Sequence, residues 1–333
     1  MLTKNQKVLV TGGAGFIGTH LVSALLVNGQ KVRVLEKPTA FVDHIRHLDL
    51  EIVYADIRKK NCLTKAIDGC EIVFHLAADP NLWRENRSQY HCVNFEGTKN
   101  VFETALDLGV KRIVHASTES ILTRKKQVGK IGETQQVGIK DAIGSYCRSK
   151  MRAELYALGL GVMGAPVLVV NPTLPIGPGD YGLSPPSKMI IDFCKGGRKE
   201  FISGDLNLAD VRDIAQGFIL ACEKGIPGRR YILSGENKSI REVFSLLSEI
   251  AGLPKPDTKI PFTIALGFAF LSELWADLVT RTSPQANLTG VQLTRRIMHF
   301  QENGALKEMG WKVRPIRESF EQAVEWFKSK GLI

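Results

Sequence analysis

The sequence predicts an α/β fold: a doubly wound parallel sheet with helices on both faces, followed by a smaller C-terminal α/β cap. Three observations predict it. Short β-branched runs alternate with helical stretches through the first half of the chain. Most of the runs are nearly continuous in apolar residues, which marks strands buried on both faces of a parallel sheet. The texture then changes after Asn171-Pro172, where Pro175, Pro178, Pro185, Pro186 and several glycines interrupt the pattern.

The elements follow in order. Lys7–Thr11 (KVLVT) is the first strand, and Phe16–Val27 carries apolar residues at helical spacing. Lys31–Leu35, Glu51–Ala55, Glu71–His75, Arg112–Ala116 and Val167–Val170 read as further strands, with helices at Asn94–Leu108 and Ser145–Leu158. Asp210–Cys222 reads as a helix returning to the sheet and Tyr231–Leu233 as a strand. Ile240–Ala251 and Arg317–Lys328 read as later helices. The expected division places residues 1–171 in a dinucleotide-binding domain to which 206–235 return. Residues 172–205 and 236–333 form the substrate-binding cap.

Composition sets outer bounds. A chain of 333 residues, 44% hydrophobic and 23% charged, has room for one large domain and a smaller partner. The net charge of +10 is spread over small clusters such as Arg58-Lys59-Lys60, Arg124-Lys125-Lys126, Arg229-Arg230 and Arg295-Arg296. That surplus suits anionic ligands or lipid headgroups, and no nucleic-acid motif accompanies it. The six cysteines form no CxxC pair, and no histidine stands near them at zinc spacing, so reduced thiols, a cytoplasmic setting and no metal are expected. Met1–Gln6 is polar and runs into the first strand without the pattern of a signal peptide. The longest apolar stretch, Ile260–Leu271, falls short of the ~20 residues that span a bilayer. It is expected to dock on a membrane surface or to line an apolar pocket.

Thr11 is followed by Gly12-Gly13-Ala14-Gly15-Phe16-Ile17-Gly18, between the first strand and the first helix. Gly12 permits a tight turn, Gly15 lets the backbone approach a pyrophosphate, and Gly18 allows close helix–strand packing. Phe16 and Ile17 open the helix, whose unpaired N–H groups face the phosphates. In this setting the motif predicts a bound dinucleotide. Glu36 ends the second strand, where a carboxylate bonds the ribose hydroxyls of NAD. Lys37 beside it can neutralise a 2′-phosphate, so NADP stays open. Asp56 follows the third strand and can accept the adenine amino group or cap a helix.

Gly144-Ser145-Tyr146-Cys147-Arg148-Ser149-Lys150 opens a helix, and Tyr146 and Lys150 share one of its faces. A free phenol has a pKa near ~10. A nearby ammonium is expected to lower it and make Tyr146 a base. Lys150 can also hold the nicotinamide ribose, while Cys147 is assigned to packing. Ala116-Ser117-Thr118-Glu119-Ser120 ends a strand at the carboxyl edge of the sheet, where ligands bind. A hydroxyl there can donate to a substrate oxygen, although Ser117 and Thr118 also read as turn formers. Asn171, Pro172 and Thr173 end the next strand and can meet the nicotinamide carboxamide.

These motifs, with Ala55-Asp56-Ile57, His75-Leu76-Ala77-Ala78, Val93–Thr98 and Asp210–Asp213, resemble the extended short-chain dehydrogenase/reductase family and its Rossmann-like fold. Residues 77–83 (AADPNLW), 171–180, 206–213 and 231–237 are similar to the dihydroflavonol-reductase-like branch, especially hopanoid-associated sugar epimerases. The resemblance implies a catalytic triad of Thr118, Tyr146 and Lys150. It implies a cofactor groove lined by Ile57, Leu76, Ala77 and Ala78, and a supporting role for Asn94. Asp79, Trp83 and Glu119 are assigned to the substrate side. A homodimer through the Asn94–Leu108 and Ser145–Leu158 helices is implied as well.

Three positions depart from nucleotide-sugar epimerases: Leu206 stands where an arginine grips the diphosphate, and Gln301 and Gly304 replace an aspartate and a lysine. An ionic hydrogen bond contributes ~1.5–3 kcal/mol, so such a substrate should bind poorly. Trp83 and the 260–271 segment suit an apolar molecule, terpenoid or lipid-linked, with a sugar as the other possibility. The basic loop Arg124–Lys130 is either a grip for an anionic group on it or a solvated lip. The function expected is NAD(P)-dependent hydride transfer at a secondary alcohol or ketone. The alternatives are an epimerase or dehydratase that retains its cofactor, a non-catalytic dinucleotide-binding protein and a membrane-peripheral lipid-binding protein.

Overall fold

Val8, Leu9 and Val10 sit fully buried at the centre of a seven-stranded sheet in the computed structural model, which describes residues 2–197, 199–301 and 304–333. Met1 of the polar start lies outside the described residues. The strands in chain order are β1 Lys7–Thr11, β2 Lys31–Glu36, β3 Glu51–Tyr54, β4 Ile72–His75, β5 Arg112–Ala116, β6 Val167–Pro172, β7 Leu174–Ile176, β8 Glu200–Ile202, β9 Asp205–Asp210, β10 Arg230–Leu233, β11 Glu236–Ser239 and β12 Thr258–Ile260. The main sheet runs β10-β6-β5-β4-β1-β2-β3, and every pair in it is parallel. The strand order reverses between β1 and β4, the place where a doubly wound sheet opens a crevice beyond its carboxyl ends.

The helices are α1 Phe16–Val27, α2 Leu63–Ile67, α3 Ser88–Tyr90, α4 Thr98–Asp107, α5 Gly144–Val162, α6 Pro185–Gly196, α7 Val211–Lys224, α8 Ile240–Ala251, α9 Phe262–Trp275, α10 Leu288–Leu293, α11 Ala305–Glu308 and α12 Ile316–Ser329. Alternate residues of β1 face opposite sides of the sheet. Val8 and Val10 pack with Leu21 and Leu25 of α1 and Phe218 of α7. Leu9 packs with Val101 and Phe102 of α4 and Ala157 of α5. Both faces are thereby covered, as the apolar strands require.

The rest of the chain builds a second, smaller core. A three-stranded sheet, β11-β9-β7, and a two-stranded pair, β12-β8, surround Phe193, Phe244, Leu247, Phe320 and Phe327. The chain crosses between the two bodies here. β9 lies in the smaller sheet, α7 packs on α1, and β10 completes the edge of the main sheet.

Two elements differ from the sequence reading. The helix expected from Asn94 is preceded by a π-helical turn, His91–Gly97, which brings Gly97 against Ile57 where a Cβ would come within 2.7 Å. The apolar helix does not stop at Leu271. α9 continues through a π-turn to Thr280, so Phe262–Thr280 spans 19 residues, most of them not buried. The apolar run ends at Ser272-Glu273, but Glu273 and Asp277 both pair with Arg87 and the helix runs on past them.

Candidate active site

Three elements meet at the carboxyl edge of the sheet. The glycine loop leaves β1, the Ser117–Ser120 segment leaves β5, and α5 presents Tyr146 and Lys150 over it. Gly12 adopts φ +71° and lies against Ala77, whose amide nitrogen would be 2.8 Å from an added Cβ. At Gly18 a Cβ would meet the Gly12 carbonyl. Gly15 is exposed at the N-cap of α1 and no side chain caps that helix start, so its first N–H groups stay open to an anion. Phe16 and Ile17 form the half-buried first turn. His75 ties the floor of the loop together: its ring nitrogens bond Thr11 at 2.8 Å and Thr98 at 2.9 Å, and the Ala77 amide donates to the Thr11 hydroxyl at 3.1 Å. Burial pushes this histidine down to about 3, so it is neutral.

Glu36 is buried at the rim of the loop and accepts the Ala14 amide at 2.7 Å, while Lys37 is exposed. Burial raises the Glu36 carboxyl. Asp56 is held by its neighbour Arg58 through bonds of 2.9 Å to each oxygen, which engages the carboxylate expected to take the adenine amino group. Ile57 is buried beneath it. Leu76, Ala77 and Ala78 run half-buried along the crevice beside Gly12.

The catalytic-type residues do come together. Thr118 bonds two side chains: its hydroxyl donates to Glu119 Oε2 at 3.0 Å and lies 3.0 Å from the Ser120 hydroxyl, which Cys147, next to Tyr146 on α5, also reaches at 3.8 Å. Lys150 is buried, and its Nζ donates to the Ala116 carbonyl at 2.7 Å. The acidity of the phenol is corrected by the structure. Burial drives Tyr146 above its usual range, Cys147 and Glu119 add to that, and only the Thr118 hydroxyl opposes. Lys150 does not offset this burial: its Nζ is turned onto the end of β5, and burial lowers its own ammonium to about 8. Cys147 is fully buried, in keeping with a packing role. Burial also lifts Glu119 to about 7.

Ser117 and Asn171 each leave one polar oxygen buried with no protein partner, Oγ and Oδ1 respectively. Buried orphan acceptors are uncommon, and here two of them lie at the ends of adjacent strands, β5 and β6. Pro172 is the last residue of β6, and the Thr173 hydroxyl donates to the Leu233 carbonyl at 2.9 Å. Together with the open first turn of α1, these groups fit a dinucleotide laid along the edge.

Two residues assigned to the substrate side are engaged with protein partners. Asp79 is buried and both its oxygens are taken, by Arg84 at 2.7 and 2.9 Å and by Asn81 at 2.7 Å. Asn94 secures the same turn by accepting the Asp79 amide and donating to the Ser149 hydroxyl of α5. Trp83 is also buried, with its indole N–H donating to Asp277 at 3.0 Å. Both side chains are held by partners within the protein. Two residues were not anticipated. Glu154 and Arg230 form a buried ion pair at 2.6 Å, and Glu154 also accepts from Asn171 at 2.6 Å. Glu154 lies one turn beyond Lys150 on the same face of α5, which is the signal that identifies it.

Residues 8–234 match the NAD dependent epimerase/dehydratase family over most of the chain. The chain belongs to that family. It is therefore an NAD-dependent enzyme of the extended short-chain dehydrogenase/reductase group, whose members include epimerases, dehydratases and reductases. A protein of Synechocystis sp. carrying the provisional name dihydroflavonol 4-reductase is 33% identical across 97% of this chain and 95% of its own length. Sterol demethylase protein B of Methylococcus capsulatus is 31% identical across 98% of this chain and 99% of its own. The crystal structure of gox2253 superposes with a TM-score of 0.86, 34% identical over 99% of this chain and 100% of that one.

Proposed function

We propose that this family member reduces a ketone, or oxidises the matching secondary alcohol, on an apolar molecule of terpenoid or sterol type. The observation that carries the reading is the meeting of Thr118, Tyr146 and Lys150 beside the glycine loop. The loop residues Gly12, Gly15, Phe16, Ile17 and Gly18, with Glu36 at the ribose, hold NAD. Ser117, Lys150, Asn171, Pro172 and Thr173 surround its nicotinamide end, and Leu76, Ala77 and Ala78 line the groove. NAD supplies the hydride acceptor, and its reduced form the donor, at the carbinol carbon. Thr118 and Tyr146 bracket the substrate oxygen. A phenol held protonated by burial is the form that donates to a ketone oxygen, so the arrangement favours reduction. Lys150, with its ammonium turned to the end of β5, holds the nicotinamide ribose.

The apolar substrate class draws on two supports. The position of a diphosphate-gripping arginine is Leu206, which offers no charge, and one of the relatives is named for sterol demethylation. Residues 172–205 and 236–333 act as the cap over this substrate. Pairing with a second copy through α4 and α5 and a cytoplasmic, membrane-peripheral setting complete the reading. The hopanoid-associated branch stays within it, as a source of such substrates.

The test is direct. The purified enzyme is offered NADH and NADPH with steroid, terpenoid and sugar ketones, and absorbance at 340 nm is followed. Oxidation of the cofactor with an apolar ketone, lost in Tyr146→Phe with NAD affinity retained, is the expected result. Full activity in Tyr146→Phe removes the acid. Turnover of a sugar with no change at 340 nm replaces the reductase with an epimerase.

A further inference from the structure

A surface helix normally turns its apolar residues inward. The helix Phe262–Thr280 is the reverse. Ile264, Phe268, Leu271, Trp275 and Leu278 follow each other at spacings of four and three, so they form one stripe. All five are exposed, from 51% for Phe268 to 68% for Leu278. The face turned to the protein carries small residues instead: Ala265, Ala269 and Ala276 are buried, the first two packed with Val291 of α10. Exposed patches of large apolar side chains mark interaction sites.

The surroundings say what covers the stripe. At the start of the helix lies a groove of about 790 Å³ whose lining includes Arg241, Lys259, Arg295 and Phe262. All three cations are exposed, and the Arg295 guanidinium lies 4.7 Å over the Phe262 ring. Among the described residues the groove holds one carboxylate, Asp205, and that faces His299 at 3.6 Å. An apolar stripe beside a cationic groove complements a surface that is hydrocarbon within and anionic at its rim. Asp205 apart, a second copy has no anionic counterpart for the groove among the described residues of its own stripe or groove, whereas a phospholipid surface offers a phosphate at every headgroup.

The helix is long enough to cross a bilayer, but its fixed side prevents that. Glu273 and Asp277 bond Arg87 at 2.7 and 2.8 Å, and Asp277 also takes the Trp83 indole. Crossing would break these bonds and carry two carboxylates into hydrocarbon. The helix therefore lies in the plane of the surface.

We propose that this protein seats on anionic phospholipid bilayers, with Ile264, Phe268, Leu271, Trp275 and Leu278 entering the acyl boundary and Arg241, Lys259 and Arg295 taking headgroup phosphates. The seat is independent of the reaction assigned to the active site, and binding is read without turnover. The whole protein is mixed with sedimentable unilamellar vesicles of phosphatidylcholine alone or with three parts in ten phosphatidylglycerol. Pelleting with the anionic vesicles, and release of most of the protein at high salt, is expected. Phe268→Glu/Leu271→Glu/Trp275→Glu should stay in the supernatant, and Arg241→Glu/Lys259→Glu should bind at least tenfold more weakly, both with unchanged melting temperature. The milder Leu271→Ser/Leu278→Ser serves if the triple variant does not fold, and it should also lose most binding. Brominated lipid should quench wild-type tryptophan fluorescence, and the quenching should be lost in Trp275→Phe. Wild-type protein that never pellets overturns the proposal, as does equal pelleting of the face variants. So does a dimer in vesicle-free solution that the face variants dissociate, since a second copy then covers the stripe.

Discussion

Glu119 holds the Thr118 hydroxyl by accepting its hydrogen at 3.0 Å. While the carboxyl is protonated, that hydrogen is free to turn to a substrate oxygen. Once it ionises, the bond to Glu119 strengthens and competes. With Glu119 raised to about 7, kcat/KM for ketone reduction should fall as pH rises through neutrality, and Glu119→Gln should lose that step, leaving only the change that belongs to Lys150 near 8. Stability runs the same way. A carboxyl raised in the folded state contributes fully below its unfolded pKa of about 4.3 and loses that contribution as pH climbs through the folded value. The wild type should therefore melt at a lower temperature at pH 8 than at pH 5 by more than Glu119→Gln does, as scanning calorimetry at both pH values can show. The Tyr146/Lys150 spacing and the polar end of β5 were legible in the sequence because helix and strand periodicity are local. The sign of the phenol's shift was not, because it depends on burial by residues far along the chain, Leu293, Met298 and Phe300 among them.

The elements are held in place by a few groups whose removal has a calculable direction. Glu154 of α5 and Arg230 of β10 are buried together, and Asn171 of β6 shares the carboxylate while donating to the Thr118 carbonyl at 3.1 Å. Breaking such a pair strands a charge and costs about 3–5 kcal/mol. Arg230→Ala should lower the melting temperature markedly, while Glu154→Leu/Arg230→Met should recover most of the loss in a denaturant titration. Gly18→Ala acts on a different element. Its methyl would collide with the Gly12 carbonyl, so the loop must open, and NAD affinity measured by calorimetry should drop at least tenfold with little loss of helix by circular dichroism. Strand positions in the first half were readable to within about two residues because their apolar runs are nearly continuous. The short strands β7, β8, β11 and β12 were not, since their half-exposed sequences carry no such run and their pairing is set by the chain's return path. Asp79 and Trp83 show the same limit: a motif can identify a segment without telling which partners within the protein its side chains take.

At the scale of the molecule, two cores share one crevice, and a ligand that bridges the loop and the β5 and β6 ends stabilises the whole. Occupancy by NAD at about a hundred times its dissociation constant adds about 2.7 kcal/mol. The wild-type melting temperature should rise with NAD by several degrees, and Gly18→Ala, binding at least tenfold more weakly, should show about half that rise or less at the same concentration. The proline-rich break after Asn171 falls where β6 of the main sheet gives way to β7 of the smaller one. The crossing of β9, α7 and β10 between them was visible only in part, because membership in a sheet is decided by partners far along the chain. One connection reaches further than the others. The loop that carries Asp79 under the crevice also sends Trp83 and Arg87 into the outward-facing helix. An enzyme fastened this way meets its substrate in two dimensions. Its speed should follow the mole fraction of ketone in the lipid sheet and not the amount per millilitre, so that adding inert phosphatidylcholine and phosphatidylglycerol at fixed total substrate slows it.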